Sequence, residues 1–501
     1  MAQGRTLADL GLTAPGGGPV AISGLTADSR AVEAGFLFAA LPGSRDHGAR
    51  HVAGAVARGA AAVLTDPTGA ALAAGGGVPL IVLDDARAAF AMAAALFYAA
   101  QPAHVAAVTG TNGKTSVASF TRQIWAALGH AAINLGTTGV EGAWSAPTGM
   151  TTPDPVALHR LLAEAAGAGI THCAMEASSH GLDQRRLDGV RLGAAGFTNL
   201  TQDHLDYHGT MEAYGAAKEG LFTRLLPPEA TAVICIETPY GHALAGRLRA
   251  RGPVLTVGAH PEADLRIDRR VYAPDGQTVS FVWRAGGAVP VERRRAARLS
   301  LVGGFQAANV AVAAGLAQAA GGPGCDADAV LGVLDRLTGV RGRMQLAARR
   351  ANGAVVFVDY AHTPDAIATA LGALRHHVAG RIVAVIGAGG DRDRTKRPLM
   401  GAAAAAGADH VIVTDDNPRS EDPAAIRAAV LAGCPGADEV GDRAEAILRG
   451  VALLDDGDAL LICGKGHETG QEVAGTVYPF DDAEQASLAV AALDEAPHRA
   501  R

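Results

Sequence analysis

The stretch "HVAAVTGTNGKTS", residues 104–116, decides the fold of the middle of the chain. A short apolar run leads into a glycine-rich loop, and "VASFTRQIWAALG" follows with helical spacing and a terminal glycine, which predicts strand, loop and helix. Backbone N–H groups in such a loop, together with the helix N-terminus, bind phosphate. Val108 stands where the strict pattern has glycine, so a plain glycine-rich turn stays open as the alternative. The predicted phosphate ligands are Gly110, Thr111, Asn112, Gly113, Lys114, Thr115 and Ser116, with Lys114 on the β- and γ-phosphates and the Thr115 hydroxyl on Mg²⁺.

The composition is that of a globular protein with several domains. A chain of 501 residues is too long for one core, and its residues are 49% hydrophobic and 19% charged. The net charge of −7 gives no general attraction to nucleic acid or to anionic membranes, so we expect neither as a partner. The N-terminus lacks the pattern of a secretion signal, and no apolar run is long enough to span a membrane.

The five cysteines are odd in number and scattered along the chain. Two of them lie in apolar, strand-like runs, and none shows the spacing of a zinc motif. We interpret them as buried thiols in a reducing compartment, the cytoplasm, and not as disulfides or a zinc site. They are Cys173, Cys235, Cys325, Cys434 and Cys463.

Apolar runs that lead straight into polar loops indicate an α/β fold. In the middle of the chain "HVAAV", "THCAM", "AAGFTN" and "TAVICI" are typical of buried parallel strands, and "AVVFVDYAHTP", "RIVAVIGAGGDRD", "HVIVTDDNPRSEDP" and "ALLICGKGHET" repeat the pattern after residue 340. Ligands bind beyond the carboxyl ends of such strands, so two α/β domains would gather the polar clusters in one cleft. We predict a small N-terminal α/β domain (1–97), a central P-loop-type ATPase domain with a parallel sheet (98–337) and a C-terminal Rossmann-like α/β domain (338–501).

Eight motifs occur in one order: "VTGTNGKTS", "MEASSHGLDQRR", "TNLTQDHLDYHG", "AAKEGLF", "DYAHTPDAI", "GAGGDRDRTKRPLMG", "DNPRSEDP" and "GKGHET". With them the chain resembles the Mur ligase family, from about residue 24 to 482. Members are ATP-dependent amide ligases that add amino acids to the peptidoglycan precursor. The resemblance is greatest to members that join meso-2,6-diaminopimelate to UDP-N-acetylmuramoyl-L-alanyl-D-glutamate through an acyl phosphate. It implies these two substrates, ATP as co-substrate, two Mg²⁺ ions and a cytoplasmic monomer.

The resemblance also assigns a metal site and a modified lysine. It makes Lys114, His204 and Lys218 catalytic, and it places Mg²⁺ on Thr115, Glu176, His204 and Lys218, the last as a carbamate (N6-carboxylysine). Carbamylation needs a neutral amine, which burial near cations favours. From the residues alone, Lys218 reads as an ordinary surface lysine on a helix, and His204 as a capping or core histidine.

Two further groups of residues are assigned to the nucleotides through the resemblance. Without it, the N-terminal group reads equally well as polar turns on a small domain. Arg186 makes electrostatic sense because the acceptor substrate is strongly anionic. The resemblance implies contacts to the UDP substrate from Ala27, Ser29, Ser44, Arg45, Asp46, Thr151, Thr152, Ser178, Gln184 and Arg186, and contacts to ATP from Asn309, Arg343 and Asp359 in addition to the phosphate loop.

The motif "DNPR", residues 416–419, is predicted to choose the incoming amino acid. Diaminopimelate differs from L-lysine by a far carboxylate, with which the Arg419 guanidinium can form a bidentate pair. An Asx-type turn after a strand would explain Asp-Asn-Pro but not the arginine. The alternatives are a lysine-adding ligase, a folylpolyglutamate-type ligase and a non-catalytic scaffold. The residues that the resemblance places on diaminopimelate are Arg392, Asp416, Asn417, Pro418, Arg419, Gly464 and Glu468.

Four positions depart from the usual residues of the family. Gln306 stands in place of Asn, Gln345 in place of Glu, and Ala388 in place of Cys. Met150 replaces a polar residue just before Thr151. None of them removes a group assigned to phosphate, metal or the far carboxylate, but the two glutamines affect the adenine side and Met150 affects one contact of the acceptor substrate.

Overall fold

Three separate β-sheets organise the chain in a computed structural model that describes residues 5–43, 46–73, 76–285 and 291–495. The sheets have four, ten and six strands, and two small two-stranded sheets accompany them. The α/β class is therefore confirmed. Ser44 and Arg45, predicted contacts of the UDP substrate, lie outside the described residues. None of the helices within the described ranges is long and apolar enough to cross a membrane.

The first sheet is a small parallel sheet of four strands in the order β3-β4-β5-β6. Its strands alternate their buried side chains between two cores, one around Phe90 and one around Phe38. The elements are β1 (Arg5–Thr6), β2 (Ala21–Ile22), β3 (Gly24–Thr26), β4 (Phe36–Ala40), α1 (Val52–Ala57), β5 (Ala62–Thr65), α2 (Pro67–Leu72), β6 (Leu80–Val82) and α3 (Ala86–Tyr98).

The second sheet contains the phosphate loop. Its elements are β7 (His104–Thr109), α4 (Lys114–Ala127), β8 (Ala132–Gly136), β9 (Gly139–Gly142), α5 (Pro155–Gly167), β10 (His172–Glu176), α6 (Ser179–Asp183), β11 (Ala194–Phe197), α7 (Leu205–His208), α8 (Met211–Gly220), β12 (Thr231–Cys235), α9 (Pro239–Leu248), β13 (Val254–Gly258), β14 (Leu265–Ala273), β15 (Gly276–Ala285), β16 (Val291–Leu299), α10 (Phe305–Ala320) and α11 (Ala327–Gly332).

The strands of the second sheet follow the order β16-β15-β14-β13-β12-β11-β7-β10-β8-β9. The four apolar runs predicted as parallel strands are β7, β10, β11 and β12, and their mutual pairing is parallel, which confirms that prediction. Helices α4 and α10 pack on one face, where the Trp125 indole Nε1 donates to the Ala317 carbonyl oxygen at 3.0 Å. A second core, with α5 and α9, covers the other face.

The third sheet follows the order β17-β18-β22-β19-β20-β21, with β17 antiparallel and the other strands parallel. The dipeptides Thr363-Pro364 and Asp422-Pro423 each supply an N-cap oxygen and a proline in the first turn, so they start helices. The elements are β17 (Gln345–Arg349), β18 (Val355–Asp359), α12 (Pro364–Arg375), β19 (Ile382–Ile386), α13 (Lys396–Gly407), β20 (His410–Val413), α14 (Pro423–Leu431), β21 (Asp438–Glu439), α15 (Arg443–Ala452), β22 (Ala459–Cys463), β23 (Gly470–Val473), β24 (Thr476–Pro479) and α16 (Asp482–Glu495).

The three sheets fall into the three predicted ranges. The strands β1–β6, β7–β16 and β17–β24 lie within 1–97, 98–337 and 338–501 respectively. We propose these ranges as the domains, because each sheet has its own buried clusters.

A fully buried ion pair anchors two loops of the third sheet. Arg443 and Asp482 have no exposed side-chain surface, and the Arg443 Nη2 lies 2.7 Å from Asp482 Oδ2. The same guanidinium donates to the carbonyl oxygens of Cys463 at 2.9 Å and Asp415 at 3.4 Å. It therefore holds the ends of β20 and β22, where "DNPR" and "GKGHE" begin.

Replacing Arg443 is expected to destabilise the protein strongly. Arg443→Met leaves Asp482 buried without a partner, which costs about 3–5 kcal/mol in the free energy of unfolding. Arg449→Met on the same helix removes an exposed pair with Glu445 and is expected to cost about 0.5 kcal/mol. Urea denaturation of both variants measures the difference. Equal losses would contradict the role given to the buried pair, and Arg443→Met/Asp482→Leu should recover part of the stability.

Candidate active site

A cavity of about 430 Å³ lies between the second and third sheets. Parallel strands of both sheets point their carboxyl ends toward it, which is the usual ligand position in α/β proteins. Its lining brings together the predicted ATP and metal residues, including Lys114, Thr115, Glu176, His204, Lys218, Asn309, Arg343 and Asp359.

Two glycines of the phosphate loop are required by their surroundings. Gly110 has φ +148°, and a Cβ there would lie 1.9 Å from the Thr198 Oγ1. Gly113 has φ +87°, and a Cβ there would lie 2.5 Å from the Asn309 Oδ1. Both φ values are strained for residues with a side chain. The loop therefore folds tightly against β11 and α10 and begins α4 at Lys114.

Two lysines converge on the loop. The Lys114 Nζ donates to the carbonyl oxygens of Gly110 at 2.9 Å and Thr111 at 2.8 Å, and the buried Lys218 Nζ donates to the same Gly110 oxygen at 2.8 Å. Burial lowers the pKa of Lys114, while Glu176 and Asp203 oppose the shift. Burial, followed by repulsion from Lys114, lowers the pKa of Lys218 well below its ordinary value. The interpretation of Lys218 as an ordinary surface lysine is wrong, because only 1% of the residue is exposed.

Glu176 is surrounded by hydroxyl and amide donors. The Thr115 Oγ1 donates to Glu176 Oε2 at 3.1 Å, and the Thr137 backbone N–H donates to Glu176 Oε1 at 2.8 Å. A Cβ on Gly136 would lie 2.0 Å from that Oε1, so the last residue of β8 must be small. The carboxylate and hydroxyl oxygens are the donors that Mg²⁺ prefers, so Glu176 and Thr115 fit the predicted ion.

His204 lies on the loop before α7. Its φ of 53° is in the left-handed region, and its Nε2 lies 3.5 Å from Asp203 Oδ2. The side chain is 47% exposed, and partial desolvation lowers the pKa of His204, which Asp203 opposes. A neutral imidazole is a poorer ligand for Mg²⁺ than oxygen.

The third sheet reaches the phosphate loop through Arg343. The Arg343 Nη2 donates to Thr115 Oγ1 at 3.2 Å, and its guanidinium lies 4.6 Å from the centre of the Tyr360 ring. Asp359 accepts from the Met344 N–H at 2.7 Å, and burial raises the pKa of its carboxyl group. Both residues line the cavity, and Arg343 contacts the first turn of α4 through Thr115.

The glutamines at two of the unusual positions have defined roles. The Gln306 Oε1 accepts from the Asn309 Nδ2 at 3.0 Å and so orients this predicted adenine-side residue. The Gln345 Oε1 accepts from the Gly342 N–H at 2.8 Å, one residue before Arg343. Ala388 is buried in the core of the third sheet.

The predicted acceptor-substrate residues of the second sheet cluster beside Glu176. Thr151 lies 2.9 Å from Thr137 (Oγ1 to Oγ1), and Thr152 donates to the Glu176 carbonyl oxygen at 3.0 Å. The Arg186 Nη1 lies 3.3 Å from the Met150 Sδ, so the unusual methionine contacts the predicted anion-binding arginine. Gln184 holds Arg186 through its Oε1 at 2.7 Å, and the Ser178 hydroxyl caps α6 by accepting from the Gly181 N–H.

The predicted residues of the first sheet lie on its exposed loops. Ala27 is exposed and Ser29 is half-buried, at the start of a short 3₁₀ helix. Asp46 pairs with Arg50 at 2.8 Å. The described hydrogen bonds of these residues do not reach the second sheet, so their contact with a substrate stays a prediction.

The "DNPR" and "GKGHE" loops meet at one site. The Asn417 Nδ2 donates to the Glu468 Oε2 at 2.8 Å, and Arg419 has φ 51° and an Nε 3.4 Å from the Glu472 Oε2. A Cβ on Gly464 would lie 2.3 Å from the Asp416 Oδ2. Pro418 is buried between Asn417 and Arg419, whereas the Arg392 side chain is exposed and donates to the Asp391 carbonyl oxygen at 3.2 Å.

Sequence reasoning missed a buried lysine, Lys465, where the "DNPR" and "GKGHE" loops meet. The Lys465 Nζ donates to Asn417 Oδ1 at 3.1 Å, Glu468 Oε2 at 3.2 Å and the Gly470 carbonyl oxygen. The lysine inside "GKGHE" was the available signal, because a charged residue straight after a buried strand has to find partners. Tyr360, which lies under Arg343, and Asp203 carried no signal of their own.

Comparison with known proteins agrees with this geometry. The chain is 52% identical over 481 residues to the UDP-N-acetylmuramoyl-L-alanyl-D-glutamate–2,6-diaminopimelate ligase of Caulobacter vibrioides, covering 94% of this chain and 96% of that protein. The chain belongs to the Mur ligase family. The profile of the Mur ligase middle domain matches residues 108–317, that of the Mur ligase glutamate ligase domain matches 342–466, and that of the Mur ligase family catalytic domain matches 21–98.

Other Mur ligases give the same result. The protein of that name from Agrobacterium fabrum is 50% identical over 95% of both chains. A solved structure of such a ligase superposes with a TM-score of 0.70 at 34% identity, over 98% of this chain and 99% of that one. The folylpolyglutamate synthase of Mycobacterium tuberculosis, complexed with ADP, shares the fold alone, with a TM-score of 0.61 at 22% identity over 75% of this chain and 91% of that one.

We expect Gly113→Ala to weaken nucleotide binding more than it destabilises the fold. The strained φ costs about 1 kcal/mol in stability, and the added Cβ displaces Asn309. Gly129→Ala is the matched control, because Gly129 has φ +92° and nothing within 4 Å of its Cβ position. Calorimetric titration with a non-hydrolysable ATP analogue should show Kd raised at least about 10-fold for Gly113→Ala only. The same Kd in both variants would contradict the contact.

Proposed function

We propose that the protein is an ATP-dependent ligase that adds meso-2,6-diaminopimelate to UDP-N-acetylmuramoyl-L-alanyl-D-glutamate. The observation that carries the proposal is the cavity itself. It joins a phosphate loop and Glu176 on one sheet to Arg343 on the other, and Arg343 donates to Thr115 across the cleft at 3.2 Å. The names of the relatives that match nearly the full chain support the same activity.

The reaction has two steps. The γ-carboxylate of the D-glutamyl residue attacks the γ-phosphorus of ATP, so ADP leaves and an acyl phosphate forms. The neutral amine of diaminopimelate then attacks the acyl carbon, phosphate leaves from the tetrahedral intermediate, and the amine proton passes to solvent. Activation is required because a free carboxylate is a poor electrophile.

Positively charged groups around the phosphate loop offset the negative charge of the ATP phosphates and of the substrate carboxylate. Lys114 is held against the loop by two carbonyl oxygens and is positioned for the phosphates. Bound Mg²⁺ would be held by Thr115 and Glu176, with His204 and the carbamate of Lys218 at a second ion, and would neutralise the anionic oxygens of both reactants. Arg343, 3.2 Å from Thr115, adds a fixed positive charge from the third sheet.

Arg419 is the residue that we assign to the far carboxylate of diaminopimelate. In the structure it is 3.4 Å from Glu472, whose side chain is 40% exposed. A substrate carboxylate can replace this partner in the bidentate geometry that arginine favours. Asn417 and Glu468 are hydrogen-bonded to each other in the adjoining loops. We assign them to the ammonium and carboxylate groups at that same far end of diaminopimelate. We place the reaction in the cytoplasm, carried out by the monomer.

The decisive experiment measures phosphate release with ATP, Mg²⁺ and the UDP-dipeptide, with mass spectrometry of the product. Meso-diaminopimelate and L-lysine are compared in parallel. A tripeptide product with diaminopimelate alone is the expected result. A better rate with lysine would overturn the amino-acid assignment, and phosphate release without any new peptide would overturn the ligase.

We expect Arg419→Ala to raise the KM for diaminopimelate by about 10- to 100-fold, because one charge-assisted bidentate pair is lost. The KM for ATP should stay unchanged, since Arg419 does not line the nucleotide cavity. The control is Arg394→Ala, which removes an exposed arginine that pairs with Glu421. Steady-state kinetics with all substrates separate the two constants. Unchanged kinetics for diaminopimelate would refute the assignment.

Carbamylation of Lys218 should depend on pH. Only a neutral amine reacts with CO₂, and the lowered pKa of Lys218 makes the neutral form available at pH values where an exposed lysine is charged. With ¹³C-bicarbonate, a carbamate carbon signal is expected at alkaline pH and should weaken as the pH falls and the Lys218 amine becomes protonated.

The control for that signal is Lys218→Arg, which keeps the positive charge and cannot be carbamylated at neutral pH. It should lack both the carbon signal and the ligase activity. A signal of the same size in Lys218→Arg would mean that another lysine is modified, and full activity without bicarbonate would remove the carbamate from the mechanism.

A further inference from the structure

Three histidines stack at the end of the second sheet opposite the phosphate loop. His104 and His172 are the first residues of β7 and β10, and their ring centres lie 4.4 Å apart. His130 lies on the loop after α4, and its ring centre is 4.2 Å from that of His172. All three rings face the loop that follows α10, where Cys325 is 2% exposed.

The donor atoms of this cluster are close enough for one ion. The His130 Nε2 lies 3.3 Å from the Cys325 Sγ. His130, His172 and Cys325 each offer a ligand atom, and the three atoms lie within 4.8 Å of one another. Nitrogen at about 2.1 Å and sulfur at about 2.3 Å from a tetrahedral ion are themselves about 3.6 Å apart, so modest side-chain rotations bring the set onto one centre.

Backbone carbonyl and hydroxyl oxygens orient two of the three rings. The His172 Nε2 lies 3.0 Å from the Gly321 carbonyl oxygen, and its Nδ1 lies 2.8 Å from the Thr171 Oγ1. The His104 Nδ1 lies 2.8 Å from the Ala320 carbonyl oxygen. Both His172 nitrogens have a hydrogen-bond partner, so an ion at this ring would displace either the Thr171 hydroxyl or the Gly321 carbonyl oxygen.

We propose that His130, His172 and Cys325 form a site for a soft divalent transition metal of the Zn²⁺ class, separate from the catalytic centre. Two imidazoles and a thiolate suit such an ion and do not suit Mg²⁺, and three protein ligands leave the fourth position to water. The thiol proton passes to solvent as the sulfur–metal bond forms. The other three-residue group among the described residues, His242, His260 and Glu262, is exposed and lacks a soft ligand.

The ion would tie together segments that are far apart in the chain. Cys325 follows α10, which carries Asn309, while β7 and β10 lead to the phosphate loop and Glu176. Metal binding should therefore raise the stability of the second sheet. It should leave the proposed ligase reaction unchanged, because that reaction takes place at the carboxyl ends of the same strands. The competing interpretation is a metal-free core cluster with a thiol–imidazole hydrogen bond.

The test uses the full chain, reduced and stripped of metal, with Co²⁺ in the presence of excess Mg²⁺. Magnesium occupies the oxygen site, and a sulfur-to-cobalt charge-transfer band reports a thiolate ligand, which the variants assign to a cysteine. We expect one cobalt per chain with such a band, displacement by Zn²⁺, and a rise in Tm of about 3 °C or more with saturating Zn²⁺. Absence of the band in the native chain would overturn the proposal.

Variants identify the ligands. Cys325→Ser and His130→Gln should each abolish the band and the Zn²⁺-dependent rise in Tm. Cys173→Ala is the matched control, since Cys173 neighbours His172 on β10 but belongs to the core on the other face, and it should keep both. His130 is only half-buried, so its variant remains informative if Cys325→Ser does not fold. A band that survives in either ligand variant would overturn the assignment.

Discussion

The Gly110 carbonyl oxygen receives hydrogen bonds from two lysines, the half-buried Lys114 and the buried Lys218, and this shared contact joins the loop before α4 to α8. Lys114 and Lys218 lie 2.9 and 2.8 Å from it. Two ammonium groups repel each other strongly where water is excluded. The pair is stable when one amine is neutral or when anions balance both, and Asp203 supplies only part of that balance. The contact therefore favours a bound anion beside the two amines.

The same contact links elements that are distant in the chain. The loop is closed against Thr198, whose hydroxyl donates to the Asn112 carbonyl oxygen at 2.6 Å, and against Asn309 of α10. Arg343 then connects the loop to the third sheet, where Arg443 fixes the ends of β20 and β22. These side chains join the loop of the second sheet to the third sheet.

The parallel strands could be predicted because each is a short apolar run that ends in a polar loop. The extension from β13 to β16 could not, since "VERRRAARL" is too polar to read as a strand and pairs only through its neighbour β15. The burial of Lys218 was hidden as well, because "EAYGAAKEG" does not show which helix face is covered. The predicted roles of the site residues came from the family resemblance. The structure added the side chains that contact them, such as Lys465, which donates to Asn417.

The histidine–cysteine cluster shows why spacing rules fail for some sites. His130 and Cys325 are 195 residues apart, so no local sequence motif predicts that they meet. They come together because α10 ends near the start of β7. Strands β7 and β10 begin at His104 and His172, beside His130 and Cys325, and lead at the other end to the phosphate loop and Glu176. Hard and soft ions separate by such ligand chemistry. The two proposed ion sites would therefore differ in ligand chemistry, with oxygen donors at one and nitrogen and sulfur donors at the other.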